Sequence, residues 1–120
     1  MPRGRPRRAE SDTEILDAAR ELLRDTRYGA ITLDGIAGRA GVAKTTIYRR
    51  WPSKAALVAD VVRREANGLD ALLHGELARV VASLIGEAQE NEETRGIVRE
   101  LFAPYRDSLD AGALVSLLLD

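Results

Sequence analysis

An all-α protein is the expectation from three features of the chain. Apolar residues recur three and four positions apart through most of its 120 residues. No stretch alternates apolar with polar residues as a half-buried strand requires, and no internal repeat is present. Glycines and cap-forming polar residues punctuate the periodic runs where helices would begin and end.

The opening MPRGRPRR holds arginines, prolines and a glycine and almost nothing that can be buried, so residues 1–10 are read as a basic arm. Ser11-Asp12-Thr13-Glu14 has the spacing of a capping box, which predicts that helix 1 starts there. Ile15, Ala18, Ala19, Leu22 and Leu23 then form one apolar stripe, with Gly29 beyond its end. Thr32 is placed to cap a two-turn helix whose apolar face is Leu33, Ile36, Ala37 and Ala40, and Gly41 supplies the turn that stops it. A third short helix is expected from about Ala43 to Arg50, anchored by Ile47, with Lys44, Thr45, Thr46, Tyr48 and Arg49 facing elsewhere. Two short helices joined by a glycine turn, the second polar and basic, make a helix-turn-helix.

Trp51-Pro52-Ser53-Lys54 breaks the third helix and caps a longer one, expected to carry Leu57, Val58, Val61, Val62, Leu69, Leu72 and Leu73 as far as Gly75. Leu77, Val80, Val81, Leu84, Ile85 and Ala88 mark a further helix to about Glu90, and Glu90 to Glu93 reads as a solvated loop. The last pattern, Ile97, Val98, Leu101, Phe102, Tyr105 and Leu109, contains Pro104, which should kink or divide it, and Gly112 should end it. The domain reading is therefore an arm (1–10), a helix-turn-helix domain (11–54) and a helical C-terminal region (55–120).

Net charge is only −1, but the charges are unevenly placed. Residues 1–54 hold 12 Lys/Arg against 7 Asp/Glu, a balance of +5, and residues 55–120 hold 6 against 12, a balance of −6. A basic half can collect phosphates while an acidic half stays off the duplex, so double-stranded DNA is the expected partner. The chain has no cysteine and one histidine, which excludes disulfides, thiolate metal sites and a histidine cluster. No apolar run approaches the roughly 18 residues a membrane span needs, so a soluble cytoplasmic protein with no membrane partner is expected. No nucleophile with a base and no phosphate-cradling glycine loop is apparent, and neither an enzyme nor a cofactor is expected. His74, alone near a helix end, reads as a surface or capping residue.

The run TLDGIAGRAGVAKTTIYRRWPSKAAL, within Ile15 to Leu57, closely resembles the DNA-binding domain of the tetracycline-repressor (TetR) family of transcriptional regulators. The likeness lies in the Thr before helix 2, its Ile-Ala pair, Ala-Gly-Val at the turn, Ile-Tyr in the third helix and the aromatic-Pro-Ser-Lys junction. It implies a homeodomain-like three-helix domain, a connecting helix and a C-terminal helical regulatory region. It also implies a homodimeric repressor on a palindromic operator, released in intact relatives by a small-molecule effector. The apolar stripes Leu77 to Ala88 and Ile97 to Leu109 are then the expected pairing surfaces. Ala43 stands where the family often has a serine cap, a loss typically of about 1 kcal/mol. Family members normally continue well past this length, so the C-terminal half is expected to be shortened, as a fragment or a deletion. The competing reading is a truncated interaction protein that binds DNA without effector response.

A helix in a major groove reads bases through its polar side chains, which makes Lys44, Thr45, Thr46 and Arg49 the candidates for base readout. By resemblance Tyr48 and Lys54 contact phosphate, Lys54 at the N-terminus of helix 4, and Thr32 does the same at helix 2. Tyr48 is expected to pack its ring and offer its hydroxyl, Trp51 to be core between helices 1 and 4, and Arg50 to be a solvated charge. Phe102 and Tyr105 read as core before any effector pocket. Arg3, Arg5 and Arg7 lie in Arg3-Gly4-Arg5-Pro6-Arg7, which resembles the Gly-Arg-Pro core of an AT-hook inserted in an A·T minor groove. A basic tail with nonspecific phosphate attraction explains the same residues.

Overall fold

The computed structural model describes residues 7–108, and the side chains of residues 11–107. Seven α-helices follow one another there: α1 (Arg7–Asp25), α2 (Leu33–Ala40), α3 (Lys44–Arg50), α4 (Lys54–Glu65), α5 (Leu69–His74), α6 (Ala78–Ala88) and α7 (Glu92–Phe102). Short 3₁₀ segments at Tyr28–Ala30 and Ala103–Ser108 complete the order, and no strand occurs among the described residues. None of these helices is long and apolar enough to cross a membrane. The chain divides into two compact units at Val61 and Val62, inside α4.

In the first unit α1 packs on α2 and α2 on α3. Ile15, Ala19, Ile36, Ile47, Leu57 and Val58 are at most 1% exposed and form the centre of the core. Helix α1 begins at Arg7, so Ser11 lies within it instead of capping it. Arg, Arg, Ala and Glu at 7–10 are good helix formers, and that propensity extends the helix back towards Pro6. The start of α2 follows the sequence reading: Thr32 is extended and its hydroxyl accepts a hydrogen bond from the Gly35 amide at 3.0 Å. Gly41 stops the helix with φ +74°, a left-handed conformation that an L side chain adopts only at a cost, while its amide donates to the Ala37 carbonyl at 2.9 Å.

The helix expected to run from Ser53 through Leu73 is two helices. Between Val62 and Leu69 the apolar stripe lapses for nearly two turns, and Ala66-Asn67-Gly68 occupies the gap. Gly68, at φ +103°, turns the chain between α4 and α5. Asn67 and Gly68 are poor helix formers, and no burial across the gap offsets them.

In the second unit α5 packs on α6 and α6 on α7. Val80, Val81 and Leu84 of α6 and Val98, Leu101 and Phe102 of α7 are all at most 3% exposed. Most of the two stripes read as surfaces for a second subunit is thus buried within this unit, where the neighbouring helix is the nearest apolar face, while Ile85, Ile97 and Tyr105 are half-buried and Leu109 lies outside the described residues. Phe102 is core as expected. The acidic loop is also corrected: Asn91 caps α7 by accepting from the Thr94 amide at 3.0 Å, and Glu92 and Glu93 form the first helical turn, where carboxylates favour the positive end of the helix. Thr94, 2% exposed, donates from its hydroxyl to Glu87 Oε2 at 2.6 Å, and Arg95 donates to the Ala88 and Gln89 carbonyls at 3.2 and 3.3 Å. The α6 end and the α7 start are therefore tied together by side chains of α7. Helix α7 stops at Phe102, and the 3₁₀ segment begins one residue before Pro104.

Candidate nucleic-acid interface

Helix α3 buries one side chain fully. Ile47 is 0% exposed and anchors the helix, which by area is worth about 1.5–3 kcal/mol. Lys44, Thr45, Tyr48, Arg49 and Arg50 are exposed, and Thr46 is half-buried. A seven-residue helix with one apolar anchor does not hold itself. Its N-cap, Ala43, makes no side-chain hydrogen bond, although the Ala43 carbonyl accepts from the Thr46 amide at 3.0 Å. The other end is pinned through Trp51, which is 3% exposed and donates from its indole N–H to Asp60 Oδ2 of α4 at 2.8 Å. Trp51 is thus a core residue with its polar atom satisfied, as the sequence suggested.

Two shallow recesses flank α3. One is bordered by Thr32, Asp34, Lys44, Tyr48 and Lys54, and the other by Ser11, Asp12, Val42, Thr46, Arg49 and Arg50. The three residues assigned by resemblance to phosphate contact, Thr32, Tyr48 and Lys54, meet in the first recess. Lys44, read as a base contact, lies with them, one helical turn from Tyr48. Thr46 and Arg49 lie on the opposite flank.

The side chains in these recesses depart from the sequence reading in informative ways. Tyr48 is 49% exposed, so its ring is presented to solvent instead of packed. Ile47 already fills the inward direction of this helix, which leaves the tyrosine no core to enter. Lys54 is half-buried and donates to the Tyr28 and Ile31 carbonyls, both at 3.0 Å, with its ammonium 4.3 Å from the Tyr28 ring centroid. It clips the segment before α2 to the start of α4, with one ammonium N–H beyond those two bonds. Thr32 spends an acceptor on the α2 cap and keeps its O–H as a donor.

The positive charges are more heavily paired than a count along the chain suggests. Arg50 donates to Asp12 Oδ2 at 2.9 Å and lies 5.3 Å from the Trp51 ring centroid, so it bridges α3 to α1 and is not simply solvated. Arg39 reaches Glu21 at 3.1 Å, and Lys44 reaches Asp34 at 2.8 Å. The hydrogen bond that Lys44 donates to Asp34, followed by the carboxylate's charge, raises the Lys44 pKa above its ordinary value, so the ammonium stays charged throughout the neutral range. Arg49 makes no ion pair among the described residues, and Thr45 is exposed beside it. Asp12, Asp34 and Glu21 were not singled out by sequence reasoning. Their partners lie 10 to 38 positions away, beyond any local spacing rule.

Arg3 and Arg5 lie outside the described residues, and Arg7 is the first residue of α1. His74 lies on the surface at the end of α5, 3.1 Å from Asp70.

Residues 15–61 match the family described as bacterial regulatory proteins, tetR family. The chain is 48% identical over 58 residues to the uncharacterised HTH-type transcriptional regulator YdeS of Bacillus subtilis, an overlap covering 48% of this chain and 29% of YdeS. It is 30% identical over 117 residues to the uncharacterised HTH-type transcriptional regulator Rv1556 of Mycobacterium tuberculosis, covering 82% of this chain and 58% of that one. With the HTH-type transcriptional regulator AlkX of Mycobacterium tuberculosis it shares 34% identity over 77 residues, 64% of this chain and 36% of AlkX. The chain thus spans between a third and three fifths of the length of most of these relatives, and less of YdeS.

Proposed function

Because the chain belongs, through residues 15–61, to the tetR family of bacterial regulatory proteins, we propose that it is a sequence-specific DNA-binding transcriptional regulator, a repressor that acts as a homodimer on a palindromic operator. The observation that carries this reading is α3: a short helix with Ile47 as its single buried anchor and a polar, cationic outer face, held at its C-terminal end by Trp51 and Asp60. A helix of these dimensions fits a major groove with its side chains at base edges.

In this reading Thr45, Thr46 and Arg49 read bases with Lys44, the arginine and lysine at guanine O6 and N7 and the threonine methyls against thymine. Tyr48, the Thr32 hydroxyl and the remaining Lys54 N–H contact phosphates and fix register. The small size of α3 favours a dimer. One seven-residue helix buries too little for strong specificity, whereas a two-fold pair reads half-sites about 34–36 Å apart. Most of the α6 and α7 stripes is buried inside the second unit, which leaves their half-buried residues Ile85 and Ile97 for a second subunit.

Enrichment of bound duplexes from random DNA, followed by sedimentation of the chain with the enriched duplex, tests both parts. The expected result is a site with inverted half-sites about 10 base pairs apart, or a multiple of that, carrying two chains. Failure to enrich any sequence overturns sequence-specific binding, and a single chain on an asymmetric site overturns the dimer.

A further inference from the structure

Asp34 stands in the first turn of α2 with its side chain 72% exposed, and its Oδ1 lies 2.8 Å from Nζ of Lys44, the first residue of α3. Two helix N-termini thus share one carboxylate. A lysine at the first position of an uncapped helix meets the positive end of the helix dipole, and Asp34 offsets that placement. A pair this exposed adds little to stability. The recess that holds it is bordered by Thr32, Tyr48 and Lys54, which sets an acid among the groups assigned to the DNA backbone.

Resting on the DNA-binding reading above, we propose that Asp34 is a specificity-determining residue, which by holding one N–H of Lys44 makes that lysine a base reader instead of a phosphate anchor. A lysine ammonium has three N–H donors. One is taken by Asp34, and two remain for acceptors in front of the helix. A phosphate arriving there meets the Asp34 charge as well as the lysine, so its attraction is largely cancelled. The guanine O6 and N7 atoms are neutral acceptors and suffer no such repulsion. The ion pair also holds the end of a flexible side chain, which lowers the ordering cost when a base is met. Without the carboxylate, Lys44 is a mobile cation that any nearby phosphate satisfies.

The test is a comparison of the full chain, Asp34→Asn, Asp34→Glu and Lys44→Gln on an enriched duplex, its single-base variants and a random duplex, over a range of salt. Lys44→Gln identifies the base pair that Lys44 reads. At that base pair Asp34→Asn is expected to lose roughly fivefold or more of the discrimination and to keep it elsewhere. The same variant should bind random duplex more tightly, with a salt slope steeper by about 0.9, the signature of one added phosphate contact. Asp34→Glu, which keeps the charge, should retain most of the discrimination. Unchanged preference in Asp34→Asn at the Lys44 base pair overturns the proposal, as does a uniform weakening at every site with no change in salt slope. Absence of any sequence preference in the unmodified chain would instead overturn the DNA-reading assignment on which it rests.

Discussion

In the unit up to Val61, the polar side chains of α3 point away from the core, and two of its three cations, Lys44 and Arg50, are met by acids from α2 and α1 at 2.8 and 2.9 Å. In the unit from Val62, Thr94 and Arg95 turn towards the neighbouring helix end and close the junction of α6 with α7. The first arrangement leaves a polar face standing in solvent, with Tyr48 the single large hydrophobic side chain exposed among the described residues. The second spends its polarity on its own hairpin. The contrast teaches that the same residue types serve recognition or architecture according to whether the opposite face of the helix already has its anchor. Ile47 supplies that anchor for α3 alone, while α6 and α7 supply it for each other.

Four substitutions sharpen or break this contrast, and denaturant unfolding monitored by circular dichroism reads each of them. Ile47→Ala has the largest expected effect. It empties a fully buried site and should destabilise the first unit by about 2–5 kcal/mol. A cost below 1 kcal/mol would mean that α3 is not anchored as described. Thr94→Val removes a buried hydroxyl bonded to Glu87 and should cost about 1–2 kcal/mol in the second unit. No measurable loss would show that the α6 to α7 junction does not depend on it. Gly41→Ala should cost about 1 kcal/mol through its left-handed backbone, because an added Cβ meets no atom within 4 Å. Ala43→Ser is the smallest and has the opposite sign: an N-cap hydroxyl at the start of α3 should stabilise by roughly 0.5–1 kcal/mol. A destabilising serine would contradict the extended cap geometry of that residue.

Much of this is legible in the amino-acid sequence. The threonine cap at position 32, the glycine stop at position 41, the inward Ile47 and the buried Trp51 each follow from a local rule acting over four residues or fewer. What escaped had other origins. The break at Ala66 to Gly68 was hidden because Leu69, Leu72 and Leu73 resume a helical spacing after it. Asn91 was overlooked as a cap because four acidic or amide residues in a row read as solvated charge. The partners of Lys44, Arg39 and Arg50 come from other helices, and spacing along one helix says nothing of them. Lys54 bonds to two backbone carbonyls, groups that no side-chain pattern reveals.

The claim that the first unit, and α3 within it, meets DNA is tested most directly by amide hydrogen exchange of the chain with and without its enriched duplex. New protection is expected to concentrate between Thr32 and Lys54, strongest over Lys44 to Arg50, with α6 and α7 unchanged. Protection centred on Ala78 to Phe102, with α3 exchanging as it does in the free protein, would contradict it.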